Sequence, residues 1–314
     1  MSSLEESIEG YIAFKQALGF DYAGEAQRLH AYLAFCDGEP LTEESALEWA
    51  CSGPGHPRSY QIQRYETVRR FSEFAYALDP GIFKLKPGIL GSVGSRIVPY
   101  IFTDEDILIL MKVARTCKSP DGLRGEGLAF LIGLMRSCGL RISEALNLRD
   151  SNFNVESSTL DIVDSKFGTS RTIYLLPDVA DHIVAYQRFR NGIAGSPTSR
   201  LIVTTEGKPL GVDSAQGMFS EVRWALLGRG DSFEGRKARL HDMRHTFATM
   251  TILRWHRSGV DVNAMIPYLS AYLGHKKLSD TYWYLTGVPE LLAVAADAFK
   301  AAGLASERAT NGLD

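Results

Sequence analysis

Apolar residues in the first 80 positions recur every three or four residues, the spacing of amphipathic helices. In "SLEESIEGYIAFKQALGF" the residues Leu4, Ile8, Tyr11, Ile12 and Leu18 line one face, and Ser3 with Glu6 makes a capping box at its start. Ala26, Leu29, Leu33 and Cys36 repeat the stripe in a second helix. Thr42 opens a short third helix through Ala50 and "GPGHP" breaks it. A fourth helix runs to about Leu78, with Phe71, Phe74, Ala75 and Leu78 inward. Residues 81–101 lose the helical period, and their four glycines and two prolines predict a linker.

A second capping signal, Thr103 with Asp106, starts another domain. Helices are expected at about 103–117 and 122–138, then a break at Gly139 and a short helix from Ile142. "TLDIVD" and "RTIYLL" alternate with period two around the turn "SKFGTS", which predicts a β-hairpin. Helical spacing returns at 178–190 and from 213 onward. The expected fold is mainly α. It has a helical domain over 1–80, the linker 81–101, and a mixed α/β domain over 102–304 in which helices surround a small antiparallel sheet; residues 305–314 read as a disordered tail.

Composition narrows the class. With 45% apolar and 23% charged residues the chain reads as a soluble globular protein, and no apolar run reaches the roughly 18–20 residues of a membrane span. The acidic N-terminus excludes a secretory signal or transit peptide. Cys36, Cys51, Cys117 and Cys138 form no C-x-x-C pair, which argues against zinc and against a disulfide framework and places the chain in a reducing cytoplasm. A net charge of −3 does not announce a nucleic-acid binder, but the positive charge is clustered. "RSYQIQRYETVRR" holds Arg58, Arg64, Arg69 and Arg70, and "RKARLHDMRH" holds Arg236, Lys237 and Arg239. Either cluster alone reads most simply as a solvated helix face. Two of them, on separate domains, suit a clamp.

Four separated spots in the second domain carry reactive or charged groups. "CGLRISEAL" places Arg141 after a Gly-Leu turn, and the hairpin turn holds Lys166. "LHDMRHTFATM" sets His241 and Arg244 three apart on one face of a helical turn. "LGHKKLSDTYWYL" supplies His275 and two tyrosines, Tyr282 and Tyr284. Each is weak alone: an arginine after a turn or a lysine in one is usually surface, and Gly-His after a helix is often a plain C-cap. No metal-ligand spacing, P-loop or G-x-S-x-G elbow accompanies them. Two arginines, a lysine, two histidines and a tyrosine suit metal-free transfer at a phosphodiester, where guanidinium groups answer charge on the nonbridging oxygens. A phenol with a pKa near 10 attacks only where cations stabilise its phenolate. Spacing alone does not choose between the two tyrosines.

These motifs together resemble the tyrosine recombinases, the phage-integrase family, over about 100–290, and the N-terminal helices resemble that family's core-binding domain. "CGLRISEALNL" is close to the first family box and carries over Arg141 as a phosphate-binding arginine with Glu144 in support. "DSKFGTSRTIYLLP" matches the family hairpin and makes Lys166 the general acid for the 5′-oxygen. "HDMRHTFAT" brings His241 and Arg244, "LGH" brings His275, and the family spacing from that histidine lands on Tyr284 as nucleophile. Tyr282 and Trp283 are then expected to be packing residues. The interval 250–272 is longer than in simple members and resembles that of transposon-encoded recombinases.

The resemblance implies a site-specific recombinase of the integrase or transposase type that cuts and rejoins strands through a 3′-phosphotyrosine, with no metal or other cofactor. It implies a C-shaped clamp on duplex DNA bearing specific sites, and a homo- or hetero-tetramer with related recombinases. The setting would be cytoplasmic and nucleoid-associated, with no membrane partner. Leu291, Leu292, Val294, Ala295 and Phe299 form a C-terminal apolar stripe that either packs on its own domain or docks on a neighbouring protomer. Two alternatives share the residues: a type IB topoisomerase-like enzyme that nicks and reseals one duplex, and a catalytically idle DNA-binding accessory subunit.

Overall fold

A computed structural model of the chain describes residues 4–92, 94, 98–117, 121–165, 169–194, 200–226 and 238–286. The chain separates into two compact units, Met1–Ile97 and Val98–Asp314.

Among its described residues the first unit has four helices: α1 (Leu4–Ala17), α2 (Ala23–Cys36), α3 (Glu43–Cys51) and α4 (Arg58–Leu78). Their apolar stripes meet in one core of Ile8, Tyr11, Leu29, Tyr32, Trp49, Tyr65, Val68 and Phe71. Thr42 caps α3 as the sequence suggests, its Oγ1 accepting from Ser45 N at 3.0 Å. Two assignments to that core are corrected. Leu18 is 57% exposed because α1 ends one residue before it, and Leu78 is 73% exposed because it is the last residue of α4. The stretch expected to be a linker is also different. Residues 81–92 are irregular, but Leu85 is 1% exposed and Leu90 is buried in the same core. Three polar groups of α4 hold this strap: Ser72 Oγ accepts from Leu85 N (3.1 Å), Tyr65 Oη donates to the Lys86 carbonyl (2.9 Å), and Arg58 Nη2 donates to the Leu90 carbonyl (2.9 Å). Glycine and proline report the loss of helix here, not the loss of packing.

In the second unit Thr103 and Asp106 form the expected capping box at the start of α5 (Asp104–Arg115). The next helix, α6 (Leu123–Cys138), is the central element: Leu128, Leu131, Ile132 and Met135 are all fully buried. After it come the short α7 (Ile142–Asn147), a 3-10 turn, and three strands, β1 (Phe153–Asn154), β2 (Thr159–Ser165) and β3 (Thr169–Tyr174). The strands form one antiparallel sheet in the order β1-β2-β3, with Leu160 opposite Ile173 and Ile162 opposite Arg171. The two-residue β1 has no alternation of its own and was not legible in the sequence. Helices α8 (Pro177–Ala194) and α9 (Val212–Val222) complete the main core. The last three helices among the described residues, α10 (Asp242–Arg257), α11 (Val262–Leu273) and α12 (Ser279–Thr286), share a smaller core of Ala248, Ile252, Leu253, Ile266, Leu269, Leu273 and Tyr284. The long interval 250–272 is thus the second half of α10 and nearly all of α11, whose N-cap Asp261 accepts from Asn263 N at 2.9 Å. Lys166, Arg236, Lys237, the C-terminal stripe and the tail lie outside the described residues.

Candidate active site

Glu144, in the first turn of α7, is the hub of the site. Arg141 immediately precedes that helix; its backbone N–H donates to Glu144 Oε2 at 2.9 Å and its Nη1 to Oε1 at 2.6 Å. From β3, Arg171 closes a two-pronged contact on the same carboxylate, Nη1 to Oε1 at 3.1 Å and Nη2 to Oε2 at 2.9 Å. Arg244, in the first turn of α10, brings Nη1 to 3.8 Å from Oε2. Burial pushes the carboxyl up, but hydrogen bonds from Arg171 and from the Arg141 backbone outweigh it and bring the pKa to about 2. The carboxylate is therefore ionised, and three guanidinium groups surround one negative charge. The uncompensated positive charge is buried, which is costly unless an anion shares it.

Main-chain carbonyls hold the arginines in place. Arg141 Nη2 donates to Gly274 O (2.7 Å), Arg171 Nε to Tyr272 O (2.6 Å), and Arg244 to Gly139 O (2.8 Å) and Leu273 O (2.6 Å). Two of these carbonyls belong to glycines that close helices in the left-handed region. Gly139 (φ 62°) ends α6, where a Cβ would fall 2.4 Å from the Phe247 ring. Gly274 (φ 66°) ends α11, where a Cβ would stand 3.0 Å from Arg171 Nη1. The breaks seen in the sequence are therefore the points where the backbone turns its carbonyls toward guanidinium. Burial, followed by the nearby Arg141, lowers the Arg244 pKa to about 10.

On the other side stand aromatic groups. Tyr284, on α12, is 3% exposed, whereas Tyr282 is 42% exposed. Burial raises the Tyr284 pKa, while the Arg244 charge and its hydrogen-bonding contact with the phenol pull it down. His275 follows the α11 cap, with its ring 6.1 Å from Tyr284 and its Nδ1 2.7 Å from Thr281 Oγ1. Burial and the Arg244 and Arg141 charges lower its pKa to about 4, so the ring is neutral at neutral pH. His241 is the N-cap of α10; its backbone is already in the right-handed helical region and its carbonyl accepts from the Arg244 N–H at 3.1 Å, so the two share a helical turn as the spacing suggested. Desolvation and then Arg244 lower its pKa. Between His241 and Tyr284 sits His245, 4.8 Å and 5.4 Å from their ring centres. Its buried Nδ1 has no hydrogen-bond partner among the described residues, and burial with the charge of His241 lowers its pKa to about 3.

The structure thus brings Arg141, Glu144, His241, Arg244, His275 and Tyr284 together. A family model described as the phage integrase family matches residues 101–288, well over half of the chain. The protein belongs to the phage integrase family, the tyrosine recombinases. These are enzymes that cleave and rejoin DNA strands. The recombinase is 32% identical over 307 residues to y4rB of Sinorhizobium fredii, provisionally named an integrase/recombinase, covering 94% of this chain and 96% of that one. It is 32% identical over 182 residues to the tyrosine recombinase XerC of Rhodospirillum centenum, covering 58% and 48%. Its fold is that of the Tn1549 transposon integrase in complex with a circular intermediate DNA (TM-score 0.65, 16% identity, 90% and 95% covered). The XerH recombinase bound to difH also shares it (TM-score 0.62, 16% identity, 89% and 79% covered).

Three residues of the recombinase site were not read from the sequence: Arg171, Thr281 and His245. Arg171 carried a signal, because strand parity puts it on the same face as the buried Ile173 and Leu175, where a charge is out of place. Tyr282 is corrected from a packing residue to an exposed one, since α12 buries the face that carries Tyr284.

The basic residues of the first unit divide. Arg64 is not available to DNA: it is buried, donates to Ser52 O at 2.7 Å and stacks 4.1 Å over the Trp49 ring. Arg69 is paired with Glu66 (2.9 Å) and Glu73 (3.1 Å). Arg58 and Arg70 are exposed, although Arg58 also braces the strap. In the second unit Arg239 is half-exposed and pairs with Asp242 at 2.7 Å. Among the described residues no helix is long and apolar enough to cross a membrane.

Proposed function

We propose that this recombinase exchanges strands of duplex DNA at specific sites, with Tyr284 as its nucleophile. The observation that carries the reading is the place of Tyr284, buried beside Arg244 in a pocket where three guanidinium groups face the single carboxylate of Glu144. Such a cluster carries an excess of positive charge, which a scissile phosphate answers. Tyr284 Oη attacks phosphorus, the P–O5′ bond breaks, and a 3′-phosphotyrosyl link forms with release of a 5′-hydroxyl. Arg141 and Arg244 hold the nonbridging oxygens, and His275 hydrogen-bonds the same phosphate. Lys166 gives its proton to the leaving 5′-oxygen, and His241 assists removal of the phenolic proton. The 5′-hydroxyl of a partner strand then reverses the step, so the bond energy is conserved.

Duplex DNA is the partner, contacted by basic residues that include Arg58 and Arg70 of the first unit and Arg239 of the second. The active assembly is a tetramer on paired sites, built from this chain alone or with related recombinases. The long 250–272 interval and the fold shared with the Tn1549 integrase favour a role in moving a mobile element. The setting is the cytoplasm, on the nucleoid.

A nicked suicide substrate, which loses a short fragment on cleavage and traps the adduct, tests this. The wild type is expected to form a covalent protein–DNA species that maps to Tyr284, and Tyr284→Phe to form none. An adduct that persists in Tyr284→Phe and disappears in Tyr282→Phe would overturn the nucleophile assignment.

A further inference from the structure

We infer that Arg171 is the residue that positions Arg141 for phosphate, acting through Glu144, and so joins the β2–β3 hairpin to the phosphate pocket. The inference rests on the reading of Arg141 and Arg244 as phosphate-binding groups. Arg171 serves as a brace: all three of its nitrogens are engaged by the protein, Nε with Tyr272 O, and Nη1 and Nη2 with the two oxygens of Glu144. The Gly274 backbone covers it on one side, since even a Cβ there would approach Nη1 to 3.0 Å.

What this grip does follows from the geometry of the fork. Two parallel N–H bonds fix the plane of a carboxylate as well as its position. Glu144 then offers one fixed oxygen to the backbone N–H of Arg141 and the other to its Nη1. The third donor, Nε, ties the same strand to the last turn of α11 at Tyr272 O. Two residues further on, Gly274 O takes Arg141 Nη2, so Arg171 braces both ends of the cradle that aims Arg141. Strand β3 also begins three residues after Lys166 in the sequence. Removing the brace leaves Glu144 free to rotate and to draw Arg141 away from the substrate. Lysine retains the charge but cannot make a planar fork and reach Tyr272 O at once.

The experiment compares the full-length wild type, Arg171→Lys and Arg171→Gln on three nicked suicide substrates. One has an ordinary scissile phosphate. The second carries a methylphosphonate, which lacks the charge on one nonbridging oxygen. The third has a 5′-bridging sulfur, whose thiolate leaves without protonation. Arg171→Lys is expected to slow adduct formation about tenfold to a hundredfold on the ordinary phosphate, less than removal of a direct donor. The deficit relative to wild type should shrink at least threefold on the methylphosphonate and stay the same with the sulfur leaving group. The substrate-to-substrate ratios are taken within one preparation, so a reduced folded fraction in Arg171→Gln cancels from them.

A wild-type rate for Arg171→Lys on the ordinary phosphate would overturn the inference. So would an equal deficit on all three substrates, which marks a merely structural residue. A deficit relieved only by the sulfur leaving group would overturn it as well, because Arg171 would then act on Lys166. Persistence of the adduct in Tyr284→Phe would overturn the nucleophile reading instead. The substrate ratios for Arg171 would remain decisive, because they follow cleavage by whichever group attacks.

Discussion

His275 Nδ1 lies 2.7 Å from Thr281 Oγ1, which ties the histidine after α11 to the helix that carries Tyr284. With the His275 pKa down to about 4, the imidazole is neutral and one ring nitrogen carries its proton. A threonine hydroxyl that donates to Nδ1 leaves that proton on Nε2, ready for a phosphate oxygen. Thr281 is fully buried, so no water replaces it when it is lost.

Thr281→Val is therefore expected to slow adduct formation on the order of tenfold to a hundredfold, and Thr281→Ser to keep most of the wild-type rate. Single-turnover cleavage of the suicide substrate measures both. Equal rates for the two variants would remove Thr281 from the tautomer argument.

Acid should destabilise the folded protein in a defined window. Between an ordinary histidine value of about 6.5 and the folded values of about 3 for His245 and about 4 for His275, the unfolded chain binds protons that the folded chain does not. Stability therefore falls as pH drops from 6.5 toward 4. Glu144, lowered to about 2, extends the loss below pH 4.5 in the same direction. Thermal unfolding should show a lower Tm at pH 5 than at pH 7.5. His245→Phe keeps a ring between His241 and Tyr284 but cannot titrate, and should flatten that dependence. A Tm that rises on acidification would contradict the assignment of neutral, buried rings.

The arginines of α4 should separate in two measurements. Arg70→Ala is expected to reduce the salt slope of DNA binding by about one, with little change in stability. Arg64→Ala should leave that slope alone and destabilise the fold by about 1–3 kcal/mol, because it removes charged hydrogen bonds and a stacked cation. DNA binding across a salt series and urea unfolding on the same preparations give the comparison.

Much of this architecture was legible because helices and hairpins announce themselves by period. The α5 and α6 boundaries, the Gly139 break and the β2–β3 pairing all rest on local rules that tertiary packing did not override. The six site residues that the structure brings together were found as separate motifs, which only a family resemblance could assemble. What escaped has a common cause. Arg171, Thr281 and His245 matter through partners far away in sequence or around a helix, and no local pattern encodes a partner. Arg171 reaches back 27 residues to Glu144 and forward 101 to Tyr272. The failure at Arg64 is the same in reverse: a basic cluster counts charges without showing that one lies on Trp49.

The strap over α4 bears on where this protein can be divided. A fragment ending at residue 80 would match the helical pattern yet leave Arg58 and Tyr65 without their carbonyls and holes where Leu85 and Leu90 had been. Engineers who graft the N-terminal unit onto another catalytic body should therefore carry the sequence through Ile97, because the natural seam follows the strap and not the last helix.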